Sequence, residues 1–245
     1  MEDRAVSPII GASTDPIVVV IDGPAGSGKS SVSREAARRL GFELLDTGAA
    51  YRALACFAMR MGIDLDAADV PEQLVPKLDE FLEQYAIALH PDERWVRLGE
   101  DDITEAIRST ELSSKVSAVA RIPEVRATLT ELFRTLLHDT AAPGIIAEGR
   151  DLTTVVAPDA PVRLLLTADE AVRIQRRSSE KAGEAAQAVA ASVIERDRKD
   201  QQVVDFLNPA EGVTLVDTTH LNFEESVQRT IDLIRAARPD APETI

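Results

Sequence analysis

The sequence predicts an α/β fold, a five-stranded parallel sheet flanked by helices and carrying a smaller inserted unit with an antiparallel hairpin. Three observations lead there. Five short apolar runs, each closed by a turn or a polar residue, are spread along the chain: IVVVI (17–21), FELL (42–45), GIIAE (144–148), VRLLL (162–166) and VTLV (213–216). Helical patterns separate several of them, and strands alternating with helices make a parallel sheet covered on both faces. A glycine-rich turn joins the first run to the first helical pattern, at the strand ends where such sheets collect their ligands.

The elements follow in order. Residues 1–15 carry acids and no apolar core, so they read as a flexible lead and not as a signal peptide. Helical spacing covers Lys29–Leu40, Ala49–Met61, Ala168–Lys181, Ala188–Asp200 and Phe223–Ala237. Between 64 and 108 the rhythm changes. A helical stretch near Glu72–Glu83 leads into YAIALHPDERWVRLGEDDI, whose alternating runs about a polar turn predict a hairpin of two or three strands. STELSSKVSAVAR and PEVRATLTELFRTLLHD read as two further helices, with Pro123 in the first turn of the second. The expected organisation is a core of 16–63 and 109–237, an insert of 64–108, and a flexible polar tail of 238–245.

Composition narrows the classes of partner. A formal charge of -15 over 245 residues opposes a nucleic-acid or anionic-membrane surface, while a few local arginines still suffice for a small phosphorylated ligand. One cysteine, Cys56, excludes an internal disulfide and fits a reducing cytoplasm; in RALACFAM it reads as core filling. His90, His138 and His220 lie far apart, with no ligand spacing around them for a protein-built metal site. No run approaches the roughly 18 apolar residues of a membrane span. The expectation is a soluble, cytoplasmic protein with small-molecule partners, neither nucleic acid nor membrane, acting as a monomer.

The stretch GPAGSGKSS, Gly23, Pro24, Ala25, Gly26, Ser27, Gly28, Lys29, Ser30 and Ser31, has the spacing G-x-x-x-x-G-K-S between a buried strand and a helix. Glycines let backbone amides turn inward on an anion, and the helix N-terminus adds partial positive charge. Lys29 would bridge the β- and γ-phosphates of a nucleoside triphosphate, and the Ser30 hydroxyl would ligate magnesium. The absence of an N-K-x-D guanine-reading sequence favours a small-molecule kinase over a switch GTPase.

Two downstream stretches speak for an acceptor. LLDTGAAYR (44–52) places Thr47 and Gly48 near a helix N-terminus, with Arg52 a turn further in, a layout suited to a second anion or to a plain N-cap beside a solvated arginine. IIAEGRDLTTVV (145–156) ends a buried strand on Glu148, where a magnesium-bound water could be held, with Arg150 and Asp151 facing the same cleft or forming an ordinary turn ion pair.

VVIDGPAGSGKSSVSREAARRLGFELLDTGAAYR, EGRDLTTVVAPDAPVRLLLTA and RDRKD together resemble the bacterial cytidylate kinases, from Ile17 to the last helix. The resemblance implies a phosphate-loop kinase that moves the ATP γ-phosphate to CMP or dCMP with magnesium. It also implies that the insert is an enlarged monophosphate-binding subdomain. Carried over by position, it puts Thr47, Arg52 and Arg150 on the acceptor phosphate and Ser117, Arg126 and Asp151 around cytosine. Arg196 and Asp200 fall on the sugar side. Arg173 and Arg177, from RIQRRSSEK, would belong to a lid over the transferring phosphoryl group, acting there with Lys29 and Arg150. An arginine and a carboxylate complement the N3 and O2 acceptors and the N4 donor of cytosine. The match departs at Thr153, where the family has glycine, and at Gln201 and Val203, where it has serine and arginine. Kinases of other small acceptors and a non-enzymatic nucleotide-binding protein are the competing readings.

Overall fold

The computed structural model describes residues 15–180, 194, 197–198 and 208–237. Five strands form one parallel sheet: β1 (Ile17–Asp22), β2 (Glu43–Asp46), β6 (Gly144–Gly149), β7 (Val162–Thr167) and β8 (Thr214–Asp217). Their spatial order is β2-β6-β1-β7-β8, so β1 is central. The chain runs out from β1 to one side, returns through β6, and crosses to β7 on the other. The carboxyl end of β1 is therefore the switch point of the sheet, the place where a crevice opens. The register brings Asp46 of β2 beside Glu148 of β6, and Asp22 of β1 beside Gly149.

Burial on both faces explains why the strands are runs of Val, Ile and Leu without alternation. Val20, Leu45 and Ile145 point into one apolar cluster, while Val19, Ile21, Leu164 and Leu166 point into the other. The second cluster is closed by α1 (Lys29–Leu40) and by the last helix, α8 (Phe223–Ala236), through Val32, Ala36, Val227 and Ile231. Asn222 and Glu225 form a reciprocal capping box that fixes where α8 begins. The first cluster is closed by α2 (Thr47–Arg60), α5 (Thr110–Ala120) and α6 (Pro123–His138), which starts at Pro123 as predicted. Asp46 caps α2, its carboxylate accepting from the Ala49 N–H at 3.0 Å.

The segment between α2 and α5 holds α3 (Val70–Leu74), α4 (Leu78–Gln84) and a three-stranded antiparallel sheet of β3 (Tyr85–Ile87), β4 (Val96–Leu98) and β5 (Asp101–Asp102). The continuous helix expected near Glu72–Glu83 is in fact broken by a 3₁₀ turn at Val75–Lys77. Pro76 has no N–H to give and restricts the residue before it. This segment has no core of its own. Phe81 lies edge-on to Phe57 of α2, ring centroids 5.7 Å apart, and stacks on Tyr85 at 5.2 Å. Phe81, Val96, Ile103 and Ile107 join the same cluster as Leu54 and Phe133. The loop after β3 also meets the edge strand of the large sheet, where the Leu44 N–H donates to Leu89 O at 2.7 Å.

After β6 the chain makes a π-helical turn at Leu152–Val156, which no local sequence pattern marks. The helix expected from Ala168 begins two residues later, as α7 (Glu170–Glu180). The helix expected over Ala188–Asp200 lies, for the most part, outside the described residues. No described helix is long and apolar enough to cross a membrane.

Candidate active site

The loop Gly23–Gly28 leaves β1 and enters α1 without a side-chain cap. Gly26 and Gly28 take left-handed backbone angles, φ 75° and 89°, that disfavour side chains. At Gly26 space forbids one as well: a Cβ would stand 2.5 Å from the Arg173 carbonyl oxygen. The loop is thus pressed against α7 and aimed by it. Arg173 is buried; its Nε donates to Ala168 O at 3.1 Å, and a terminal nitrogen donates to Ala25 O at 2.9 Å. The same nitrogen pairs with Asp197, whose other oxygen accepts the Ala25 N–H at 2.9 Å. Arg176, one turn on, donates to Ser27 O at 3.2 Å and to Thr218 Oγ1 at 2.9 Å. Ser27 is buried and its hydroxyl has no hydrogen-bond partner among the described residues, while Ser30 and Ser31 are exposed at the first turn of α1. Pro24 and Ala25 are buried, and the Lys29 ammonium reaches toward Pro24 O at 3.4 Å.

Across the crevice stand two neighbouring carboxylates. Asp46 bonds Arg52 at 2.8 Å. Burial opposes its charge, but Arg52, the Ala49 N–H and Lys29 outweigh burial and hold its pKa below the ordinary carboxylate value. Glu148 is pushed the other way, first by burial and then by the charge of Asp46, against the pull of Lys29 and the Ser30 hydroxyl. Two carboxylates and a hydroxyl at one strand edge form an oxygen-rich set that suits a hard divalent cation, and the neighbouring Lys29 ammonium suits the triphosphate that the cation would accompany. Among the described residues no group of three or more His, Cys, Asp and Glu side chains is placed to hold a metal by itself.

The predicted acceptor residues converge on the same edge. Thr47 is buried and donates its hydroxyl to Glu148 O at 2.7 Å. Arg150 donates to Gly23 O at 2.6 Å and lies 3.5 Å from Asp197, which joins the first loop residue to the acceptor turn. Arg126 of α6 pairs with Asp151, both partly or fully buried. Burial raises the Asp151 pKa, and Arg126 works against that rise. Ser117 sits half-buried on α5, and Arg177 half-buried on α7 beyond Arg173. Arg196 and Asp200 lie outside the described residues, as do Gln201 and Val203.

Several groups at this edge were not singled out by sequence reasoning. Asp197 stands inside RDRKD, where the resemblance directed attention to Arg196 and Asp200 instead. Asp22 reads as the last residue of a strand, yet it is buried and accepts from Leu152 N at 3.1 Å and from Thr153 N and Oγ1 at 2.8 and 2.7 Å. Thr153, the departure from the family's glycine, thereby supplies an additional bond to a buried carboxylate.

A G-x-x-x-x-G-K-S loop at the switch point of a parallel sheet, faced by a second crevice with cationic residues, places the molecule among the phosphate-loop kinases. More narrowly, the chain belongs to the cytidylate kinase family, whose model matches residues 19–236. A cytidylate kinase of Cutibacterium acnes is 47% identical over 228 residues, covering 91% of this chain and 97% of the relative. One from Rhodococcus opacus is 40% identical over 224 residues, covering 89% and 95%. In fold alone, an uncharacterized protein from Eubacterium ventriosum superposes with a TM-score of 0.50 at 9% identity, covering 90% of this chain and 99% of that one.

Proposed function

We propose that the protein is a cytidylate kinase, transferring the ATP γ-phosphoryl group to CMP or dCMP to give ADP and CDP or dCDP. The observation that carries this reading is the Arg126–Asp151 pair, an arginine of α6 bound to a carboxylate on the same turn as Arg150, which touches the glycine-rich loop. The guanidinium offers donors to cytosine N3 and O2, and the carboxylate accepts from N4. Uracil presents N3–H and O4 at those places and would leave buried groups unpaired, the condition for strong discrimination.

The backbone amides of Gly26, Gly28 and Lys29, with the Lys29 ammonium, bind the donor phosphates, and Arg52, Arg150 and Thr47 orient the acceptor phosphate for in-line attack. The acceptor oxygen is already anionic, so no protein base is required. Arg173 keeps the loop in shape from behind, and Arg177 lies on the same helix to meet developing charge. Ser30 and Glu148 would hold magnesium, Glu148 through water; the ion would neutralise charge on the triphosphate. Residues 64–108 act as the monophosphate-binding subdomain, and the protein works in the cytoplasm as a monomer.

Coupled ADP release measured with CMP, dCMP, UMP, AMP and GMP tests the reading. Turnover confined to CMP and dCMP is expected. Preference for another acceptor, or ADP release with none of them, would overturn it.

A further inference from the structure

One carboxylate touches both halves of the site. Asp197 accepts the Ala25 N–H at 2.9 Å through one oxygen, and that oxygen lies 3.5 Å from a terminal nitrogen of Arg150. Its other oxygen pairs with Arg173, which in turn donates to Ala25 O at 2.9 Å. Both polar backbone groups of Ala25 are thereby engaged, and the peptide at the middle of the glycine-rich loop is held in one orientation. Arg150 reaches the same loop a second time, donating to Gly23 O at 2.6 Å. The contacts of Arg176 and Thr218 are one-sided by comparison. They meet the loop at Ser27 O and continue to Leu221 O and Thr167 O, on the β7–β8 side of the sheet.

The charge count matters as much as the bonds. Asp197 is a single anion between two guanidinium groups, and solvent screens them little: the side chains of Arg150, Arg173 and Asp197 are 15, 9 and 10% exposed. At 3.5 Å the Arg150 contact is an attraction at the outer limit of a hydrogen bond. It aims the guanidinium toward the loop, and a planar fork aimed in this way suits paired bonds to a phosphate. Removing the anion would set two buried cations against each other and release the Ala25 N–H, so loop and arginine would shift together.

We propose that Asp197 is a positioning residue that couples the two nucleotide sites, holding the Ala25 peptide of the donor loop and Arg150 of the acceptor turn in one geometry so that filling either site favours filling the other. A loop that settles around a triphosphate passes the change to Arg150 through this carboxylate. By linkage, the acceptor must strengthen donor binding by the same factor. The place of Arg150 on the acceptor phosphate rests on the proposed function; its ties to the loop stand without it.

Calorimetry on the full chain measures the coupling. The affinity for the nucleoside monophosphate that wild type turns over, CMP on the proposed function, is read with and without ADP and magnesium. Wild type is expected to bind it about tenfold more tightly in the ADP complex. Asp197→Asn keeps an acceptor for the Ala25 N–H and removes the charge that both arginines face. Its coupling should fall below about twofold, with KM for the acceptor rising more than KM for ATP. Asp197→Glu, which retains the charge, should recover part of the coupling. A carboxylate that merely packs behind the loop predicts a different pattern: a lower melting temperature and weaker ADP binding in Asp197→Asn, with the coupling factor intact. Either that pattern or an uncoupled wild type would overturn the proposal. Isotope-labelled wild type supplies a measurement that needs no variant to fold. The Ala25 amide resonance should move when the acceptor nucleotide is added alone, and a stationary signal would equally overturn the coupling. Turnover of a nucleotide with another base would count against the proposed function and leave both measurements in force.

Discussion

One carboxylate oxygen of Asp22 accepts both the backbone N–H and the hydroxyl of Thr153, at 2.8 and 2.7 Å, while its other oxygen accepts from Leu152 N. Asp22 immediately precedes the donor loop, and Thr153 follows the turn that carries Arg150 and Asp151. The pair therefore ties the end of β1, just ahead of the Gly23–Gly28 loop, to the turn that carries Arg150 and Asp151. Burial raises the Asp22 pKa; the Thr153 and Leu152 bonds lower it, and Asp151 adds a small upward push. Removing a donor to the charged form must raise it further. Thr153→Val is expected to cost about 1.5–3 kcal/mol, the scale of a hydrogen bond to a buried charge. The acid limb of kcat/KM for CMP should also move to higher pH, as the carboxylate protonates earlier on the way down. Thr153→Ser should restore both. A Val variant with an unmoved pH profile would reduce Thr153 to a packing residue.

Lys29→Ala is expected to lose about 2–4 kcal/mol of transition-state stabilisation, roughly 30- to 1000-fold in kcat at saturating ATP. The same substitution should shift the ionisation of Asp46 and Glu148, since Lys29 favours the charged form of each. Single-turnover rates on a folded variant measure the first effect. Near-normal turnover would remove Lys29 from the reaction.

Asp151→Asn should weaken CMP more than UMP, because the amide can donate as well as accept. It also discharges the partner of Arg126, so some affinity for both nucleotides should fall. The ratio of kcat/KM for CMP and UMP separates the two effects. A ratio equal to wild type would mean that Asp151 does not read the base.

Phe81→Ala is expected to cost about 3–5 kcal/mol, as for a fully buried aromatic, and to do so in a single unfolding transition. Phe81 packs on Phe57 of α2, so the insert and the frame share the loss. Two separate transitions in calorimetry would show instead that residues 64–108 form an independent folding unit.

Much of this was legible in the sequence for a physical reason. Strands buried on both faces must be continuous apolar runs, and IVVVI, GIIAE and VRLLL became β1, β6 and β7 with ends shifted by a single residue. Lys29–Leu40 was read to its final bounds because a phosphate loop starts it and a glycine follows it. The rest depended on contacts between distant segments. Asp22 and Thr153 are 131 positions apart, and Ala25 and Asp197 are 172 apart. Nothing local marks either pair. Arg173 shows the same limit: its charge and helical position were evident, but its burial behind the loop follows only from how α7 packs.

The chain contains one tryptophan, Trp95, and it stands in the hairpin directly ahead of β4. Its indole is held at one edge by Glu93 and covered by the Arg97 guanidinium, 4.8 Å from the ring centre. Ultraviolet emission from this protein therefore originates, for its tryptophan component, at a single known address. Any event that moves the hairpin against α1, or changes the ionic surroundings of Glu93, should alter the colour or intensity of that light. The molecule carries a built-in optical gauge of this corner of the fold, readable without a dye or a label.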